Sequence, residues 1–144
     1  MGLRDDSWLV IRPATVALVV GDLLVIGALV AWGLSSHSGS AIDRPFYAIR
    51  TAAPFLVGWL IMGPIAGAFS SRALHSSRSM VLAAGAAWLG AALIGVAIRA
   101  TPLLPGGAAP TFVLVMVATG LAVMIPWRVF VTVVTGRLDI WSPP

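Results

Sequence analysis

No cysteine, lysine or glutamate occurs among the 144 residues, and tyrosine appears once, at Tyr47. Without cysteine there is no disulfide framework, no thiolate nucleophile and no Cys-ligated metal, and the redox compartment is left open. His37 and His75 fall on opposite sides of the spans described below, so they cannot share a metal or form a relay. Asp5 and Asp6 make a charged doublet near the start, with no second acidic cluster to complete a metal site. Nothing in the chain resembles a nucleophile, base and orienting group, and no glycine-rich phosphate loop with its lysine is present. The expectation is a protein without enzymatic activity, cofactor or metal.

What the chain has in excess is apolar length. Hydrophobic residues make up 59% and charged residues 10%, with a mean hydropathy of +0.99, whereas a soluble domain carries about 25% charged residues. Four spans of about twenty residues use over half the chain and leave only loops. The expected fold is therefore all-α, a four-helix transmembrane bundle forming a single integral membrane domain over residues 1–144. The net charge is +4, yet the arginines are scattered in ones and twos beside apolar runs. A nucleic-acid site needs them gathered on one face, so no nucleic acid is expected as a partner. Their expected role is to set topology and touch lipid headgroups.

The first span is expected at 14–34, after Arg12 and Pro13, because proline suits a first helical turn where its missing N–H would be unpaired anyway. A secretory signal is the rival: Arg4 and Arg12 give a basic start and Ala31-Trp32-Gly33 loosely resembles a cleavage site. The apolar stretch is longer than a usual signal core and holds Asp22, which favours an uncleaved span. The second span is expected at 52–69, kinked or unwound at Pro64. The third, 80–98, follows a tight Ser/Arg/His loop at 70–79. The fourth, 110–134, follows the 102–107 turn and contains Pro126, which frees the Ala122 carbonyl.

Four spans put both termini on one face. That face receives Arg4, Arg12, Arg72, Arg78 and Arg137, and the other receives Arg44, Arg50 and Arg99, an imbalance that favours cytoplasmic termini in the plasma membrane of a prokaryote. Trp8, Trp32 and Trp141 lie near the expected interfaces, where amphipathic rings belong.

Lipid gives little hydrophobic drive between helices, so small residues at four-residue spacing must supply close contact. The third span has the best seam, Ala83, Ala87, Ala91 and Gly95, with Ala86 and Gly90 beside it. The second offers Gly63 and Gly67, the first Ala17 and Gly21. The third helix is expected to be central, with Leu and Val faces turned to lipid. The seams serve either packing within one chain or a homo-oligomer.

Two charges lie inside spans. Asp22 should sit roughly 13 to 14 Å from one end of the first, and Arg128 roughly 9 to 12 Å from the same side in the fourth. If those helices are neighbours, a direct or water-bridged pair offsets much of the cost of burying either ion. The alternatives are an Arg128 that snorkels beside a protonated or otherwise bonded Asp22, and a carboxylate that binds a cation or proton during transport. At the other side, Arg50, Thr51, Arg99 and Thr101, with the turn Pro105-Gly106-Gly107, form a second polar cluster. It could receive a small anion or headgroup, or simply anchor span ends.

Gly21-Asp22, Pro54-Phe55, Gly58-Trp59, Arg99 and Thr101 followed by Gly106-Gly107, then Ala109-Pro110-Thr111-Phe112 and Trp127-Arg128 occur in this order along nearly the whole chain. In these residues the chain resembles the small prokaryotic integral membrane proteins grouped as the domain-of-unknown-function family 3054 (DUF3054). The resemblance implies four spans, makes Asp22, Arg99 and Arg128 family features, and supplies no substrate. The expected role is a structural or accessory component of the membrane, whose partners are the lipid bilayer and either further copies or a larger complex. The alternative is a small oligomeric transporter or channel using Asp22 and Arg128.

Overall fold

The computed structural model describes residues 13–37, 43–104 and 107–137. The described residues are helical, with turns between: α1 (Pro13–His37), α2 (Pro45–Ile65), α3 (Ser71–His75), α4 (Ser77–Arg99) and α5 (Pro110–Arg137). Four of these helices are long and apolar enough to cross a membrane. An all-helical solution is what lipid imposes, because a helix satisfies its backbone polar groups internally. The hydroxyls of Thr119, Thr132 and Thr135 follow the same logic by donating to carbonyls four residues back, at 2.6 to 2.8 Å.

The second span differs most from the sequence-based expectation. It starts at Pro45, not 52, and ends at Ile65, not 69. Pro45 occupies the first helical turn, where a missing N–H costs nothing, and Arg50 is tolerated in that first half because the span end lies near the polar boundary. Pro64 does not kink the middle of a span. It stands in the last turn, where the helix stops as the Ala66 N–H bonds the Met62 carbonyl and Gly67 takes φ +72°. Gly67 is thus a turn glycine that needs the left-handed region, and it cannot serve in a helix-packing seam with Gly63. The loop expected at 70–79 contains α3, capped by the Ser70 hydroxyl, and then α4, capped by the Ser76 hydroxyl.

The long helices form a ring in which α1 packs on α2 and α5, α2 on α4, and α4 on α5. The third span, expected to be central, makes the most extensive contacts of the long helices, packing on α2, α3 and α5 though not on α1. Its small-residue face does meet α2. Ala87, Ala91 and Gly95 are buried, while Leu82, Leu89 and Leu93 are exposed on the opposite side. The crossing point is Gly58, where an added Cβ would fall on the carbonyl and Cα of Ala91. Phe55 fills the space over Gly95, and Phe69 that over Gly63, each 2.6 Å from where a Cβ would stand. Inside the ring Phe55, Trp59 and Trp88 pack with centroids 6.4 Å apart in the Phe55–Trp88 and Trp59–Trp88 pairs. Trp88 satisfies its N–H on the Val117 carbonyl of α5 at 3.3 Å.

Candidate functional site

Asp22 lies about nine residues into α1 and Arg128 about nine before the end of α5, so helix rise puts both roughly 13 to 14 Å from one side of the bundle. Because α1 and α5 are neighbours, the equal depth becomes contact. Arg128 Nη2 donates to Asp22 Oδ2 at 2.6 Å, and both side chains are fully buried. A charge-assisted bond of this length is at the strong end of protein hydrogen bonds.

The carboxylate is closed by two further donors. Trp127 Nε1 reaches Oδ1 at 3.0 Å, and Trp59 Nε1 reaches Oδ2 at 3.2 Å. In all three contacts the carboxyl oxygens of Asp22 accept a hydrogen. Trp127 also fills the space over Gly21, whose added Cβ would stand 2.8 Å from the indole. The absence of a side chain at Gly21 is therefore what lets the indole reach the neighbouring acid.

The guanidinium is held from several directions. Nη1 donates to the Ala68 carbonyl at 2.8 Å, in the turn after α2, and lies 3.8 Å from the Met80 sulfur on α4. The ring of Phe69 lies 4.6 Å from its central carbon and that of Trp59 5.4 Å, distances at which an aromatic face attracts a cation. Nε is buried and has no partner. The Ala122 carbonyl freed by Pro126 is not among the guanidinium's acceptors; the turn after α2 supplies one instead.

Sequence reasoning paired Asp22 with Arg128 by depth but did not find Trp59, Trp127, Phe69 or the Ala68 carbonyl. A usable signal existed for the indoles: tryptophans in spans gather at interfaces, and Trp59 and Trp127 lie deeper, at about the level of the acid. The backbone acceptor had none, because it depends on where α2 ends.

The cluster expected on the other side does not form one site. Arg50 is exposed and donates to the Leu103 carbonyl at 3.4 Å; the Thr101 hydroxyl donates to the Ile98 carbonyl at 2.6 Å and closes the end of α4. Only Arg99 is buried, at 4% exposure, with its guanidinium 4.6 Å from the Phe112 ring and Nε donating to the Gly107 carbonyl at 3.3 Å. Pro105 and Gly106, invoked for an anion-binding turn, lie outside the described residues, as do Arg4, Asp5, Asp6, Trp8, Arg12 and Trp141. Trp32 is exposed near the end of α1.

A family pattern described as "Protein of unknown function (DUF3054)" matches residues 19–131, which take in Asp22, Trp59, Arg99, Trp127 and Arg128. The chain belongs to the DUF3054 family. No curated protein and no solved structure matches it. With four apolar helices of spanning length, this DUF3054 protein is a multi-pass membrane protein.

Proposed function

We propose that this DUF3054 protein is a non-enzymatic structural or accessory component of a prokaryotic plasma membrane, with both termini cytoplasmic, and that the Asp22–Arg128 pair locks α1 to α5. The observation that carries the reading is the closure of the pair. Both side chains are fully buried, and three donors, from α2 and α5, converge on the carboxylate. A group that moves an ion must meet water on at least one side; a group that holds two helices need not.

Assembly with a partner or with further copies belongs to this reading. The test is the mass of the detergent-extracted particle, what co-purifies with it, and ion flux in liposomes. A stoichiometric unrelated partner and no flux are expected. A pure homo-oligomer with proton-dependent flux abolished by Asp22→Asn would overturn the accessory role.

One observation favours the runner-up, a small oligomeric transporter or channel. Arg128 Nε is buried without a partner, so the guanidinium has a donor to spare for an anion or water when the helices shift. The same flux assay separates the two.

A further inference from the structure

At the side of the bundle away from the Asp22–Arg128 pair, a cleft of about 680 Å³ opens between the last turns of α1 and the first turns of α2 and α5. Its volume is in the range of sites that bury a small organic molecule, about 300 to 1,000 Å³. The walls are mostly apolar, with Leu29 and Val30 on α1 and Met116 on α5; Arg99, Thr51 and Tyr47 lie at the span ends, and the deeper Thr119 donates its hydroxyl to the Val115 carbonyl. From Phe112 to Thr119 the α5 wall runs roughly 10 Å into the apolar layer at helix rise. The cleft is thus amphipathic along its length.

Arg99 gives it a sign. The side chain is 4% exposed, and Nε, with its bond to Gly107, is the one guanidinium nitrogen that donates to the described residues. Nη1 and Nη2 bond to none of them, and no carboxylate among the described residues pairs with Arg99. The contrast with Arg128 is informative. That buried guanidinium has a carboxylate and a carbonyl on its Nη atoms, whereas Arg99 lines a cleft at headgroup depth with neither Nη group bonded to a described residue. A guanidinium whose Nη groups face an apolar-walled cleft at headgroup depth is met by an anion arriving with an apolar tail, which satisfies both the charge and the walls.

The geometry points to a binding site for an anionic membrane lipid, its phosphate on the Arg99 Nη groups with Thr51 and Tyr47 alongside, and one acyl chain along Leu29, Val30 and Met116. The site stands independently of the lock at Asp22. Arg50 is not part of it, because its guanidinium is turned to the Leu103 carbonyl.

Native mass spectrometry of the full chain in a neutral maltoside detergent tests this, with dioleoyl phosphatidylglycerol, dioleoyl phosphatidylcholine and inorganic phosphate as probes. One phosphatidylglycerol should bind at least tenfold more tightly than phosphatidylcholine, and inorganic phosphate should not compete at millimolar concentration. Arg99→Gln should erase the preference, while Arg99→Lys and Arg50→Gln retain most of it. Gly33→Phe provides a check that spares the charge. An added Cβ at Gly33 meets nothing within 4 Å, so the fold should survive while the ring fills the cleft and lowers lipid affinity at least tenfold. Equal binding of the two lipids, displacement by phosphate alone, or full binding by a folded Gly33→Phe variant would each overturn the proposal.

Discussion

Replacing Asp22 by Asn removes one charge and leaves the volume of the side chain unchanged, so its effect reports the ion pair with little contribution from packing. In the native site three donors converge on two carboxylate oxygens. Asparagine offers one acceptor oxygen and an NH2 group, which must face either the Trp127 N–H or the donors from Trp59 and Arg128. At least one buried donor is then set against another, and the Arg128 guanidinium loses its counterion. Breaking one partner of a buried pair costs about 3 to 5 kcal/mol. Arg128 keeps the Ala68 carbonyl at 2.8 Å and the Phe69 ring at 4.6 Å, which places the expectation toward the lower end, about 3 kcal/mol.

The double variant Asp22→Asn, Arg128→Met decides between loss of a pair and loss of two separate groups. Removing both charges abolishes the unpaired cation, so the double variant should be more stable than Asp22→Asn alone, with a coupling energy of at least about 2 kcal/mol. Unfolding in mixed dodecyl maltoside and SDS micelles, followed by tryptophan fluorescence, measures all four corners of the cycle. Additive losses, or a single Asp22→Asn loss below about 1 kcal/mol, would refute the claim that the pair fastens α1 to α5.

Other expected outcomes test separate contacts. Trp59→Phe and Trp127→Phe each delete one N–H donor to a buried carboxylate and should cost about 1.5 to 3 kcal/mol in the same unfolding assay, the range for hydrogen bonds to charged groups. Gly58→Val puts side-chain atoms against the Ala91 backbone, which cannot rotate away; loss of a monodisperse peak in size-exclusion chromatography is the expected result, and an unchanged peak means the crossing lies elsewhere. Gly120→Ala places a methyl on the Trp88 indole, so Trp88 must move and give up its bond to Val117, visible as a shifted emission maximum. Because the chain has no cysteine, single thiols report topology cleanly: Ser77→Cys should react only with cytoplasmic reagent and Leu103→Cys only with external reagent, and the reverse pattern inverts the proposed orientation.

The ends of α1 and α4 lie within about three residues of the bounds set by hydropathy, because a run of apolar side chains has sharp edges where charged or Ser-rich segments begin. The α2 boundaries moved because Arg50 looks like a loop residue in a hydropathy count, although its long stem can lie within a helix while the charge stays near the boundary. Gly67 looked like a partner for Gly63 at four-residue spacing, yet spacing matters only while the chain remains helical, and the helix ends two residues before it. Arg50, Arg99 and Thr101 looked equivalent as span-end polar residues. Their burial separates them, and burial depends on which neighbour covers each position.

Hydropathy and helix rise are properties of the chain before it packs, and they determined the class of protein, the number of spans and that Asp22 and Arg128 lie within side-chain reach in depth. Rotation about each helix axis is not, since it is set by the neighbours that a face meets. Packing therefore decided that Gly21 leaves room for Trp127, that Trp59 and the Ala68 carbonyl close around the ion pair, and that Arg99 lines a cleft. The lipid makes that division sharp. It charges heavily for a buried ion wherever it lies, but only the arrangement of adjacent helices determines whether the ion has a partner.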